Sequence, residues 1–490
     1  MTRTWCACLA GLVLIAGALA VPTYGVAAAV TGVPPVSQLS SDPFTNATSQ
    51  HATEVEPDSF AWGSTIVDAV QAGRFVTGGA SDIGWAASAD GGVTWTHGFL
   101  SGLTTHRGGG KYPRATDPVV TYDARHKTWL IATTALVFVA GREPPGIGVA
   151  VLRSASGTAW TKPVFAIGGT SDTPNYDKDW IVCDNTASSP HYGTCYAVVD
   201  MHADSNQLAI ATSTDGGAVW SAPVDPAGAA GGLPGGMAVQ PDGTVVVVYY
   251  TVEGASTQVA LSSSDGGKTW SAPVTIAAVQ HHAPDGNLRG DPLPSVTVDQ
   301  AGTIYVAWAD CRFRTGCPEN DIVFSASAGA ATWTAPARIP IDPVTSSIEH
   351  YLPVIVASPG GAGHLALYYY FYPKATCTQA TCAIGAGFSS SVNGGATWSA
   401  GQHLVTPFAL SLLPDTSKGL MAGDYIGAAV TGSGTAFGTL IIAKKATGGK
   451  AFNVALYTDG GQAVTGGTSA GLPLIAVGAR LAAGHRAPGG

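Results

Sequence analysis

Ser88-Ala89-Asp90-Gly91-Gly92-Val93-Thr94-Trp95 decides the fold because it returns: Ser213 to Trp220, Ser263 to Trp270 and Ser391 to Trp398 repeat the pattern S-x-D/N-G-G-x-x-W. Two worn copies, Ser154 to Trp160 and Ala326 to Trp333, fill the gaps, so that successive Trp positions differ by 65, 60, 50, 63 and 65 residues. A regular period of this size suggests one supersecondary unit per repeat, here a four-stranded blade. The octapeptide has a physical logic of its own. Asp and two glycines build a turn that needs positive φ, the carboxylate can accept backbone N–H groups across it, and Trp covers the hairpin. Its role is structural.

Working outward, each copy is preceded by an apolar strand, a turn, a second strand, a loop and a third strand. Before Trp333 these are Leu293 to Val298, Thr303 to Ala309 and Asp321 to Ala326. Equivalent first strands are expected near Phe60, Pro118, Trp180, Gly236, Pro353 and Tyr425. The last triplet, Gly423 to Val430, Phe437 to Ala443 and Asn453 to Thr458, ends in Asp459-Gly460-Gly461. The expected fold is therefore all-β, a β-propeller of four-stranded antiparallel blades with seven blades; six is the alternative if the first or last triplet completes a shared blade. The propeller is placed at 58–465, after an N-terminal segment at 21–57 and before a C-terminal tail at 466–490.

Composition agrees with this reading. Only 11% of the 490 residues are charged, while 64 are Gly and 31 Pro, which suits short strands and many turns rather than long amphipathic helices. The net charge of −9 offers no basic footprint for nucleic acid. Met1-Thr2-Arg3 followed by the apolar stretch Trp5 to Val21, with Ala18-Leu19-Ala20, has the pattern of a secretory signal cleaved after Ala20, or as late as Ala29. Secretion is the expected localisation, with no stable membrane insertion after cleavage; Leu472 to Ala483 is too short to span. Six further cysteines form three close pairs, Cys183 with Cys195, Cys311 with Cys317 and Cys377 with Cys382, each expected to be a local disulfide. No CxxC or HExxH occurs, and neither a cofactor nor a resident metal is expected. Calcium is conceivable only near Asp177 and Asp179.

The repeated turn resembles the Asp box of the sialidase superfamily, over most of the chain from about Asp58 to Gly461. The resemblance implies a β-propeller with the boxes on one face and any glycan site on the other. On that other face the topology gathers Arg114 and Asp117, then Asp177, Lys178 and Asp179, then Arg289 and Asp291, Glu349 and His350, and Asp424 and Tyr425. The loops between second and third strands add Arg142 and Glu143, His202 and Asp204, Asp310, Arg312 and Arg314, and Glu319 and Asp321.

Retaining sialidases use three arginines to clamp the substrate carboxylate, a Tyr nucleophile made more basic by Glu, and an Asp acid/base. By position, the resemblance implies Arg114, Arg289 and Arg312 for the clamp, Tyr425 for the nucleophile, Glu349 for its base and Asp117 for the acid, with Asp179, Asp291 and Asp424 as further substrate contacts. Arginine suits the first role because its fork matches a carboxylate bidentately. The family's F/Y-R-I-P motif is absent; the nearest stretch, Tyr112-Pro113-Arg114, falls one repeat late. The expected function is a secreted exo-glycosidase acting on terminal sialic acid or related acidic sugars. The alternatives are a propeller that binds glycan or protein without catalysis, and a two-carboxylate glycosidase on neutral polysaccharide. Two smaller readings concern His281-His282, expected as exposed loop residues, and Tyr368-Tyr369-Tyr370-Phe371-Tyr372, whose loop end could stack on sugar.

Overall fold

The computed structural model describes residues 1–2, 35–137, 145–170, 175–226, 228, 231–252, 254–467 and 469–470. Contacts divide the chain after Gly32, and the larger unit, from Val33 onward, carries every strand. The proposed signal segment, Arg142, Glu143 and most of the C-terminal tail lie outside the described residues.

Among the described residues the larger unit is all-β, and its longer strands pair antiparallel in seven successive sets. The first strands are Glu54–Trp62, Arg114–Asp123, Tyr176–Cys183, Gly232–Val239, Ser295–Val298, Glu349–Ala357 and Gly427–Val430. Each lies beside the next, and the last lies beside Glu54–Trp62. The final set takes its outer strand from the other end of the chain, since Ser37 and Gln38 pair with Thr458 and Tyr457. Single pairs, Ala80 with Ala115 and Gly146 with Tyr176, join the first three sets into one eleven-stranded sheet.

The apolar runs of the second strands follow from burial on both faces. In Leu365–Tyr372, Tyr368, Tyr370 and Tyr372 join the core shared with the last set, while Tyr369 and Phe371 join the core shared with the fifth. Every aromatic ring of that run is therefore packed, and the sugar-stacking expectation is corrected: side chains alternate across a sheet, and here both faces are covered.

The four well-formed turns share one bonding pattern. Asp265 Oδ1 accepts Lys268 N and Thr269 N at 3.0 Å each, Asp90 and Asp215 do the same at their turns, and Asn393 Oδ1 accepts Thr397 N at 2.9 Å. The second glycine has an added reason to be glycine. A Cβ on Gly92 would meet Phe437 at 2.4 Å, and one on Gly395 would meet Phe324 at 2.5 Å, so each turn docks on the preceding set. Trp398 is fully buried there, donating Nε1–H to Gly395 O at 3.0 Å and meeting Phe324 edge-on. Trp398→Ala is expected to cost about 3–5 kcal/mol in denaturant unfolding, more than the same change at half-buried Trp95.

Three disulfides, Cys183–Cys195, Cys311–Cys317 and Cys377–Cys382, pair as expected and fit an oxidising compartment. Among the described residues no helix is long and apolar enough to cross a membrane.

Candidate functional site

Five of the seven first strands carry a register shift near their start, at Val55/Asp58, Thr116/Val119, Tyr176/Asp179, Pro234/Gly236 and Tyr351/Val354. Glu56 and Asp117 occupy two of these bulges with φ of 54° and 53°, each followed by proline. Left-handed backbone is costly for such residues and is held here by the surrounding sheet. A bulge re-aims a side chain, and these two turn buried carboxylates toward one another's surroundings at the end of the first strands.

Arg74, the last residue of the strand Thr65–Arg74, completes the cluster. Its Nη1 donates to Gln71 Oε1 at 2.7 Å, while Gln71 Nε2 donates to Glu56 and, at 3.0 Å, to Thr116 Oγ1. Glu56 Oε1 accepts Asp424 N at 3.3 Å, and Asp424 pairs closely with Arg289. Arg289 is delivered from a long connection anchored by Arg289 N to Leu420 O at 2.9 Å. The Cys377–Cys382 loop backs that connection, with Cys377 N donating to Asp285 Oδ2 at 3.1 Å. Arg114 lies 3.8 Å over the Phe75 ring and donates to Thr77 Oγ1 and Gly78 O at 2.9 Å each. Lys178 Nζ stands 3.7 Å from Asp117 Oδ1 and 4.2 Å from the Tyr425 ring centre.

Burial sets the protonation of this cluster. It pushes Glu56 well above the carboxylate range, helped by the charges of Asp117 and Asp424. Burial also raises Asp117 to about 6, against the opposing pull of Lys178. Arg114 is lowered to about 10 by burial and by Arg74. Arg74 Nε, Arg289 Nε and Asp424 Oδ1 are buried with no hydrogen-bond partner among the described residues. Buried polar atoms are seldom left so.

The sequence candidates divide accordingly. Arg114, Asp117, Lys178, Arg289, Asp424 and Tyr425 come together, with Asp291 exposed at the edge near the Asp424 and Arg289 charges. Asp179 turns away to accept Thr134 Oγ1 at 2.7 Å. Arg312 is spent on Asp310, with Nε–Oδ1 at 2.8 Å and Nη2–Oδ2 at 2.6 Å. Arg314, Glu319 and Asp321 form a separate ion-pair cluster with Arg338 and Asp342.

Glu349 does not serve Tyr425. Its oxygens accept Asn320 Nδ2 at 2.6 Å and Asn320 N at 3.1 Å, and pair with His282 Nδ1 at 3.0 Å. The two histidines thus depart from the exposed-loop expectation: His281 is half-buried and lowered to about 4, chiefly by desolvation, and His282 is bound to a fully buried carboxylate. The Tyr425 hydroxyl donates to Pro118 O at 3.0 Å, and burial holds the phenol well above its ordinary value.

Among the described residues, two groups gather three metal-type donor atoms within 4.8 Å of one another: Asp177, Asp200 and His202, and Asp321, Asp342 and His350. Asp200 already accepts Lys178 N and Asn206 Nδ2, while Asp321 and Asp342 are neutralised by Arg314 and Arg338.

Sequence reading missed Arg74, Glu56 and Gln71. A signal existed in the acid-proline pairs Glu56-Pro57 and Asp117-Pro118, near the starts of two first strands, and Asp291-Pro292, just ahead of a third.

No protein-family model and no curated protein matches this sequence. Solved structures do resemble the chain. A protein of unknown function from Dyadobacter fermentans is 16% identical, with TM-score 0.45 over 87% of this chain and 99% of that one. The intramolecular trans-sialidase of Ruminococcus gnavus is 13% identical, with TM-score 0.42 over 85% and 96%. An ulvan lyase is 11% identical, with TM-score 0.46 over 86% and 94%.

Proposed function

We propose that the chain is a secreted, seven-bladed, sialidase-like propeller that binds a terminal acidic sugar at the Arg74, Arg114 and Arg289 face and hydrolyses its glycosidic bond. The observation that carries this reading is the gathering of three guanidiniums around buried carboxylates whose protonation is shifted upward. With Glu56 protonated and Asp117 gaining a proton in mildly acidic solution, the cations Arg74, Arg114, Arg289 and Lys178 face fewer negative charges, which favours an anionic ligand. Asp117 then donates its proton to the leaving oxygen. Glu56, the first carboxylate acting on Tyr425 electrostatically, takes the place beside that tyrosine that Glu349 does not fill, and Lys178 lies over the ring at 4.2 Å.

A second reading, binding without catalysis, is favoured by the Tyr425 hydroxyl being committed to Pro118 O. Release of fluorophore from a sialic-acid aryl glycoside, measured alongside calorimetric binding of the free sugar, separates the two. The wild type is expected to turn over, Asp117→Asn to lose about 10²–10⁴-fold in kcat, and Tyr425→Phe to lose most activity while retaining affinity. Binding without turnover selects the second reading, and absence of both sinks the proposal.

A further inference from the structure

The inner ends of the seven first strands enclose a cavity of about 740 Å³. At the end nearest the arginine cluster its walls are Tyr425, Leu293, Pro294, Leu352 and Pro353, all buried. Tyr425 helps to close this end: its hydroxyl is fixed to Pro118 O, and its ring meets Trp180 edge-on at 5.7 Å. At the opposite end the walls are exposed, at Trp62, Gly63, Gln300, Pro359 and Gly432. Trp62 is 42% exposed and stacks on Tyr122 at 5.4 Å. The cavity thus runs from buried walls beside Tyr425 to exposed walls at Trp62, Gly63, Gln300, Pro359 and Gly432.

Much of its wall is apolar, interspersed with Ser59, Thr121, Ser295 and Thr297. Phe60, Trp180, Val239, Val296, Val354 and Val356 are half-buried although they line the interior of the protein. Backbone amides at the edges of the first strands are a liability in such a tunnel, yet several are already satisfied by the neighbouring strand. Asp58 Oδ2 accepts Val120 N at 2.7 Å, Ser295 Oγ accepts Ile355 N at 3.1 Å, and Thr297 Oγ1 accepts Ala357 N at 2.9 Å. Among the described residues no lysine or arginine lines the tunnel, and its acids, Asp58 and Asp424, sit at the inner end, Asp58 accepting Val120 N and Asp424 paired with Arg289. From Leu352 to Pro359 the wall spans eight residues, roughly 23 Å at the rise of a strand. That depth accommodates an extended chain of about twelve carbons, roughly 15 Å long with C–C bonds of about 1.5 Å.

We infer that this tunnel, whose inner end abuts the arginine face at Tyr425 and Asp424, is a second ligand site and that it takes the alkyl chain of an uncharged single-chain amphiphile whose polar head remains at Trp62. The aromatic mouth suits the junction between an apolar chain and a wet head, and the absence of a cation at the mouth selects against a carboxylate or sulfate head.

Calorimetric titration with dodecyl maltoside below its micelle concentration, on the full chain, tests this. Saturable one-to-one binding with a negative heat-capacity change is expected, at least tenfold tighter than octyl maltoside, while maltose alone gives no binding at this site. Val354→Trp, which fills the tunnel, is expected to abolish binding. Trp62→Ala, at an exposed position that the fold does not need, is expected to weaken it three- to tenfold and provides the test should Val354→Trp not fold. Equal affinity for maltose and dodecyl maltoside, no saturable binding below the micelle concentration, or full affinity in Trp62→Ala overturns the inference.

Discussion

Arg74→Ala is expected to lower affinity for a terminal acidic sugar about 10²–10³-fold, the range for truncating one partner of a buried charge pair. Arg74 is 3% exposed, spends one nitrogen on Gln71, and leaves Nε buried without a partner. It also stands electrostatically between the other two arginines: burial first, and then the Arg289 charge, lowers Arg74, while Arg74 in turn lowers Arg114. Its removal deletes the centre of the clamp rather than one edge. The fold is expected to survive, because Glu56, the nearest carboxyl, sits well above the carboxylate range and, being protonated, leaves no buried charge uncompensated when the guanidinium is lost. Isothermal titration with free sialic acid measures the loss. Arg74→Lys is expected to recover only part of it, since an ammonium restores the charge but not the fork. Affinity within threefold of wild type in Arg74→Ala would remove this residue from the site and leave Arg114 and Arg289 without a shared ligand.

That Arg74 escaped the sequence reading, while the turn at Trp398 did not, has a physical explanation. A turn such as Ser391 to Trp398 is local: its glycines, its Asn and its Trp bond to one another within eight residues, so the pattern is complete in the sequence. Arg74 acquires meaning only through Glu56, Arg289 and Asp424, which arrive from the first, fifth and seventh sets. Even so, Glu56-Pro57 could have been matched to Asp117-Pro118, because a bulge followed by proline leaves the same trace in both first strands. Arg312 shows the converse failure. It stands at a suitable loop position, but Asp310, two residues earlier, captures its fork. Position on a face can be read from repeat topology; the choice between two nearby countercharges cannot. The histidines follow the same rule. Nothing in His281-His282 announces Glu349, which reaches His282 from 67 residues away.

The second large effect concerns pH. Glu54 is raised by burial to about 8, Asp200 to about 8, and Asp58 and Asp68 to about 7, chiefly by the same cause. Three of these four acids hold joints between sets. Glu54 accepts Ser40 Oγ at 2.9 Å and Leu456 N at 2.8 Å, tying the N-terminal strand to the last set. Asp58 accepts Val120 N from the second set, and Asp68 accepts Thr439 Oγ1 from the seventh. Because each folded pKa lies above its unfolded value, the native state binds more protons, and stability falls as pH rises. The contribution is complete below about pH 4, where both states are protonated, and is lost as pH passes through 7 to 8. At about 1.4 kcal/mol per pKa unit, Glu54 alone accounts for several kcal/mol across that window. An opposite trend acts at the acid end, where Asp321, lowered by Arg338 and Arg314 against its own desolvation, loses its stabilising charge. The melting temperature is therefore expected to peak between about pH 4 and 6 and to fall steadily toward pH 8.5. Glu54→Gln, which keeps the shape and cannot ionise, is expected to flatten that fall without shifting the acid limb. A melting temperature that is constant or rising from pH 6 to 8, measured by calorimetry at fixed ionic strength, would show that these carboxyls ionise without cost and that the joints between sets are not the dry contacts their burial implies.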